Sequence, residues 1–503
     1  MTQKRQVLIN AIMSMTQVAI TGGILFVLYR FLLKTIGIEQ LGIWSLVLAT
    51  TAVTQIANLG LSGSVVKFVA KYIARGENEN VSGVIQTAFL SVGIFVALIL
   101  MIGYPIAKWI LGLVIPPESL PPALAILSYA FLALWIMIVT SIFQAGLYGH
   151  QRIDIHSILL MGGAFLHLLL CFMLVPRYGL MGIAYARVIQ NFTILISSWI
   201  LIKRYVPLLP IFPSKWNKKL FKEIIKYSMS FQVMTIANML YDPTTKILLS
   251  KFGGLSMVGY YEMANKMIIH LRTLIVSANQ VLVPVIADLK ERTPKKIQSI
   301  YLNSYRLIFY LALPLYSLII VSMPIISEMW IGRYERIFVL FGVLLAMGWF
   351  LSTLKAPAHI ANLGIGKLRW NVVSHIAIGL LNVGLGFLLG IFYGGVGVVI
   401  AWSVSLALGS SIIYLSYHIK HKIPLIELLP KTSKLIIVAC LIGVIFTLIM
   451  QNKLNHSLNG IELNSIIILS FLIIIFIPFW VHPMRKHLMG WVTNELLNKK
   501  PLA

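Results

Sequence analysis

Hydrophobic runs about 20 residues long recur through this chain from Val7 to Val481, and few of them carry a charge. Each run is long enough to cross a hydrocarbon core about 30 Å thick as a helix. In lipid every backbone N–H and C=O must be bonded within the protein, so a chain written this way folds as a stack of membrane-spanning helices. Charged residues make up 11% of its 503 residues, where a soluble protein of this size carries about twice that share. Counting domains by length therefore gives way to counting spans.

The apolar runs predict spans at 8–33, 41–65, 82–104, 122–147, 155–175, 179–202, 228–250, 256–286, 303–326, 336–360, 370–392, 395–418, 433–450 and 464–481. The expected fold class is an all-α polytopic membrane protein with about fourteen transmembrane helices. Pro176-Arg177-Tyr178-Gly179 is a turn signal that separates the fifth run from the sixth. The longest outer loop is expected from Pro105 to Pro121, which leaves little room for an external catalytic domain.

Lys and Arg are held on the cytoplasmic side of membrane proteins, and this sets orientation. With the N-terminus inside, about 28 fall on segments assigned to the cytoplasm and about 7 on the opposite side. The inner group includes Lys67, Lys71, Arg75, Lys203, Arg204, Lys290, Arg292, Lys295, Lys296, Lys420, Lys422, Lys431 and Lys434. Both termini are expected in the cytoplasm. The same bias, with attraction to anionic lipid, accounts for the net charge of +26 without nucleic acid. The segment Lys215–Lys226 sets lysines against Trp216, Leu220, Ile224 and Ile225 and is expected to lie along the inner surface as an interfacial helix. The first run contains Asn10, Ser14, Thr16 and Gln17 and lacks a small-residue cleavage site, so it reads as a span and not as a signal peptide. Cys171 and Cys440 both lie in spans, which leaves no disulfide framework and no cysteine zinc site.

The two halves of the chain repeat at an offset of about 216 residues. Leu32-Leu33-Lys34-Thr35-Ile36-Gly37-Ile38-Glu39-Gln40-Leu41-Gly42-Ile43-Trp44 resembles Leu248–Tyr261 once one residue is inserted. Tyr178-Gly179-Leu180-Met181-Gly182-Ile183 parallels Tyr393-Gly394-Gly395-Val396-Gly397-Val398, and Gly149 before Arg152 matches Gly364 before Lys367. The offset holds an even number of spans, so the copies share one orientation, about an axis along the membrane normal; transporters place the substrate path between such repeats. The expected division is 1–205, an N-terminal six-helix lobe; 206–227, a cytoplasmic basic linker; 228–420, a C-terminal six-helix lobe; and 421–503, an appended helix pair with a cytoplasmic tail. Glycines at 384, 386, 390, 394, 395 and 397 permit close helix packing, while Pro243, Pro284, Pro314 and Pro357 are placed to bend helices.

Arg30, Arg187, Lys246, Lys266, Arg272 and Lys355 fall inside runs. Each costs roughly 2.5–3.5 kcal/mol at a helix centre, so it is expected to face a wet cavity or a partner. Asp242 precedes Lys246, and Glu262 precedes Lys266, by one helical turn. Arg30 and Arg272 have no acid at that spacing and are the leading candidates for substrate contact, with snorkelling to outer headgroups as the alternative for Arg30. Arg187, Lys355, His270 and His359 follow. Spare positive charge attracts an anion, and guanidinium groups suit phosphate because they bond two oxygens at once. Gly364-Ile365-Gly366-Lys367-Leu368 lacks the spacing of a phosphate loop, and no metalloprotease or nucleophile-elbow pattern occurs, so neither catalysis nor a cofactor is expected.

The chain resembles the polysaccharide flippases, exporters of O-antigen, capsule and exopolysaccharide precursors related to MATE-type drug exporters and lipid II flippases. The residues that carry the likeness are Leu33–Trp44, Asn58-Leu59-Gly60-Leu61-Ser62, Lys67 and Ala74-Arg75-Gly76-Glu77, within a 6+6+2 arrangement of spans. The resemblance implies two pseudo-symmetric six-helix lobes in a V around a cationic cavity. It implies that an undecaprenyl-pyrophosphate-linked oligosaccharide moves from the inner to the outer leaflet of the bacterial cytoplasmic membrane by alternating access. The polyprenyl tail would stay in lipid, and Arg30, Lys246 and Arg272 would stand on the cavity wall. Expected partners are that lipid-linked glycan, membrane lipids, and glycan polymerase or glycosyltransferase machinery. A monomer would be functional. Two alternatives stay open: a drug or cation exporter of the same fold, which needs an unpaired acid, and a membrane glycan polymerase or glycosyltransferase, which needs a large outer loop.

Overall fold

The computed structural model describes residues 3–51, 61–226, 240–277, 286, 289–290, 292–294, 296–424, 428–454 and 460–485. Parts of the expected spans 41–65, 228–250 and 256–286 lie outside these residues, as do Asn58, Leu59, Gly60, Pro284 and the expected tail from 486. The described chain is helical: α1 Gln3–Thr51, α2 Leu61–Ala74, α3 Asn78–Val114, α4 Leu120–Gly149, α5 Ile153–Tyr178 and α6 Leu180–Tyr205. There follow α7 at 218–226, α8 Asp242–Ser277, α9 Lys296–Ile331, α10 Arg336–Leu354, α11 Ala356–Ile365, α12 Arg369–His421, α13 Ser433–Leu454 and α14 Gly460–Val481. Among the described residues nine helices are long and apolar enough to cross a membrane. The protein is an all-α, multi-pass membrane protein.

Several helices carry two apolar runs joined at one glycine. The backbone leaves helical geometry at Gly37 (φ 82, ψ 170) in α1 and at Gly254 (φ 80, ψ 174) in α8. It does so again at Gly179 (φ 55, ψ −131), between α5 and α6, and at Gly394 (φ 60, ψ −148) within α12. A side chain is disfavoured at such positive φ, so glycine fixes where each run turns. In α12 Ser374 donates to the carbonyl of Gly409 at 2.6 Å, although a straight helix would hold these residues about 50 Å apart; the two limbs lie side by side.

The paired dihedrals locate the sequence repeat in the backbone. Gly37 and Gly254 stand 217 positions apart, and Gly179 and Gly394 stand 215 apart. A Cβ on Gly182 would meet the carbonyl oxygen of Leu174 at 2.6 Å, and one on Gly397 would meet that of Leu389 at 2.1 Å, again 215 apart. After Gly37 and Gly254 the copies also meet in a reciprocal contact. Gly42 approaches the carbonyl of Leu255, and Gly259 approaches the carbonyl of Ile38, so positions 217 apart exchange roles as they would about a two-fold axis.

The molecule comprises two compact units, one of residues 1–263 with 379–401 and the other of 264–378 with 402–503. They are defined by packing and cut across the lobes expected from the repeat. In the first, Gly386 and Gly390 admit Leu248 and Phe252 of α8. Leu220 and Ile224 of α7 are buried in the protein, with Leu220 against Gly83 of α3. Polar residues of α3 hold the preceding linker: Gln86 accepts from the amides of Ser214 and Lys215, Thr87 accepts from that of Asn217, and Ser91 accepts from the Trp216 indole. The loop foreseen at 105–121 is mostly helix. α3 continues through Pro105 to Val114 because Ala107 and Leu111 are buried, and α4 begins at Leu120 with proline in its first turn. In the second unit α13 and α14 dock on α9 through Tyr310, Ile436, Cys440, Ile467 and Phe471.

Substitution Gly42→Ala places a methyl 2.0 Å from a backbone oxygen and forces the limbs apart. It is expected to lower the unfolding free energy in detergent by about 1–3 kcal/mol. Gly22→Ala, where a Cβ meets nothing within 4 Å, leaves the unfolding temperature unchanged or slightly raised.

Candidate substrate site

The intramembrane charges form two groups. In the first unit the reversal at Gly254 brings the limbs of α8 together, and Lys246 lies between two carboxylates. Its Nζ is 2.7 Å from Asp242 Oδ2, one turn away, and 2.7 Å from Glu262 Oε2 on the other limb. Tyr261 donates to Asp242 Oδ1 at 3.0 Å, and Tyr29 of α1 donates to Glu262 Oε1 at 3.0 Å. Lys246 and Glu262 are buried. Asn382 supports the start of α8 by donating to the carbonyls of Leu240 and Tyr241. Arg187 of α6 is within electrostatic range of Tyr29 and donates to Gln190 Oε1 at 2.9 Å. Arg30, the neighbour of buried Tyr29, is exposed on α1.

The expected Asp242–Lys246 pair is present. Glu262 is bound by Lys246 as well, across the kink. Lys266 stands in the second unit beside His270.

The second unit holds a different arrangement. Pro357 starts α11 and interrupts the span at Lys355, because proline lacks the N–H that would continue the helical ladder. Lys355 occupies the break with 6% of its surface exposed. The free N–H groups of the α11 N-terminus lie next to it and add partial positive charge. Arg272 of α8 lies over the Trp349 ring at 5.1 Å, and the Trp349 indole donates to Asn265 Oδ1 at 3.0 Å. Trp349 therefore orients the guanidinium by its π face while its own polar edge is bonded. Arg272 Nε is sealed from solvent and has no hydrogen-bond partner among the described residues. Lys355 and Arg272 repel one another, and His359 and His375 experience both charges. The two imidazoles are 5.9 Å apart.

Among the described residues neither Arg272 nor Lys355 makes an ion pair. Two cations and two histidines are thus grouped beside a helix N-terminus. Among the described residues no group of His, Cys, Asp and Glu is arranged to hold a metal ion. Sequence spacing pointed to Arg272, Lys355 and His359. It gave no sign of Trp349 or His375, which reach the group only through the packing of α10 and α12.

This architecture defines a class, that of the all-α, multi-pass membrane proteins with MATE-like folds. The chain is similar to the lipid II flippase MurJ in an inward closed conformation, with a TM-score of 0.71 and 13% identity over 96% of this chain and 100% of that one. It is also similar to a multidrug resistance MATE family transporter of the MOP superfamily in an inward-facing conformation, with a TM-score of 0.69 and 16% identity over 81% and 94%. A MOP superfamily transporter from Pyrococcus furiosus aligns with a TM-score of 0.60 and 16% identity over 83% and 95%. A family described as polysaccharide biosynthesis protein matches residues 7–290, more than half of the chain, and the chain belongs to that family. No individual curated protein matches it.

Removing the ammonium between Asp242 and Glu262 takes their shared cation away. Lys246→Met is expected to cost about 3–5 kcal/mol of stability. The double variant Lys246→Met/Glu262→Gln recovers part of that loss in chemical denaturation, since only one carboxylate is then left without its cation.

Proposed function

We propose that this protein is a lipid-linked oligosaccharide flippase, moving an undecaprenyl-pyrophosphate-linked glycan from the inner to the outer leaflet of a bacterial cytoplasmic membrane by alternating access. The observation that carries the reading is the pair Arg272 and Lys355, on two spans and without an ion pair among the described residues. A buried cation without a partner is costly, and a pyrophosphate that enters relieves the cost while giving up little hydration it does not regain. The guanidinium bonds two phosphate oxygens and the ammonium acts as a point charge. Membership in the polysaccharide biosynthesis family supports a glycan as the cargo.

Arg30 and Arg187 are proposed as further contacts with the head group, with Lys246 and Asp242 shaping the path beside them. The lobes are taken as 1–205 and 228–420, with 421–503 appended. Both termini face the cytoplasm, a monomer is the working unit, and polymerase or glycosyltransferase machinery acts on either side of the step. A cation exporter has less support, because Asp242 and Glu262 are both held by Lys246.

In cells depleted of the protein, lipid-linked oligosaccharide should accumulate on the cytoplasmic leaflet and surface polymer should fall. Arg272→Ala and Lys355→Ala, each correctly inserted, should each weaken transport about tenfold or more, the scale of one lost charged hydrogen bond. Arg272→Lys should retain part of the activity, since the charge survives and the planar fork does not. Unchanged lipid-linked pools, or full transport by both alanine variants, would overturn the reading.

A further inference from the structure

The first copy of the repeat supplies an internal control for a cavity in the second. Helix α4 ends in a cap in which the Gln151 amide donates to the Tyr148 carbonyl at 2.9 Å and the Arg152 amide to the Leu147 carbonyl at 3.0 Å. At a constant offset of 215, α11 ends with Gly366 donating to Leu363 at 3.1 Å and Lys367 to Asn362 at 2.9 Å. Gln151 and Gly366 both have positive φ, 59° and 77°. The same offset pairs Asp154 with Arg369 and Tyr205 with Lys420.

In the first copy these positions neutralise one another. Arg152 Nε donates to Asp154 Oδ1 at 3.0 Å and Nη2 to Asp154 Oδ2 at 2.8 Å, while Nη1 donates to the Tyr205 hydroxyl. In the second copy a guanidinium replaces the carboxylate and an ammonium replaces the phenol. Lys420 and Lys367 line one cavity, two like charges where the first copy has a phenol bonded to a guanidinium. Around them is a cavity of about 290 Å³ with Trp370, Ser416 and Tyr417 in its wall and no acidic residue among those lining it.

We propose that the cavity formed by Lys367, Arg369, Lys420, Trp370, Ser416 and Tyr417 binds a phosphate-bearing anion, the headgroup of an anionic phospholipid. In the first copy the corresponding set is a guanidinium, a carboxylate and a phenol; here all three are cations with no acid in the lining, and a phosphate supplies the missing negative charge. The surroundings favour a lipid as its source. Trp370 is 40% exposed at the mouth, and Val373 and Ile376 continue an exposed apolar surface up α12. Leu415 and Ile419 do the same on the returning limb. A headgroup in the cavity thus has apolar surface beside it for its acyl chains. The positive-inside bias puts this end of the helices at the inner leaflet, where anionic lipid is drawn to basic pockets between spans. The site is separate from the Arg272–Lys355 group and does not rest on the flippase reading.

The test uses the purified full-length chain in detergent, with lipid retention read by native mass spectrometry and unfolding temperature read in parallel. The probes are phosphatidylglycerol, phosphatidylcholine and inorganic phosphate. The variant Arg369→Asp/Lys420→Tyr restores the charges of the first copy and should keep its unfolding temperature without lipid; Lys367→Gln serves if that pair fails to fold. The wild type should retain phosphatidylglycerol over phosphatidylcholine, and the variant should lose about tenfold or more of that preference, since each basic residue is worth about fivefold near an anionic surface. Stabilisation of the wild type alone by inorganic phosphate, with no preference between lipids, would support the same site with a soluble source. Equal binding of every probe by the wild type and both variants would overturn the proposal.

Discussion

Backbone polar groups have no water to bond in hydrocarbon, and the rest of this architecture follows from that. An N–H or C=O left unpaired in hydrocarbon costs several kcal/mol, so each apolar run stays helical along its length. At Gly37, Gly179, Gly254 and Gly394 the departure from helical geometry is confined to one residue. Such short reversals hold neighbouring limbs together along their length. That is how residues 246 and 262 come within an ion-pair distance and how Ser374 reaches Gly409.

The same scarcity of water decides how the charges are arranged. A lone charge at mid-span costs about 2.5–3.5 kcal/mol, so two carboxylates and a lysine in one place are tolerable only as a bonded group. Lys246 receives both acids, and two tyrosine hydroxyls satisfy their remaining oxygens. Arg272 and Lys355 are treated otherwise. Their support is an indole face and a broken helix, which orient charge without cancelling it. Neutralised groups stabilise a packed structure, whereas uncancelled ones store an affinity for an incoming anion.

The spans, the glycine register of the repeat and the Asp242–Lys246 pair were legible in the sequence because each depends on residues close along the chain or on a pattern that recurs. What escaped depends on how helices rotate about their axes. In spans apolar all round, periodicity does not say which face meets a neighbour, so Tyr29 on Glu262 and Trp349 under Arg272 left no trace. Pro105 read as a loop signal, but the apolar residues beyond it were enough to keep α3 helical. The hold of α3 on residues 214–217 escaped because Gln86, Thr87 and Ser91 are polar positions inside an otherwise apolar helix.

The exchange of roles between Gly42 with Leu255 and Gly259 with Ile38 bears on how the chain can change over generations. In a symmetric dimer of half-length chains, any inherited change would strike both sides of the axis at once, and a harmful one would be felt twice. Joined in one polypeptide, the copies drift apart one side at a time. A contact that needs both glycines holds them in step, while positions away from the axis are free to specialise, as a carboxylate at 154 and a guanidinium at 369 have done.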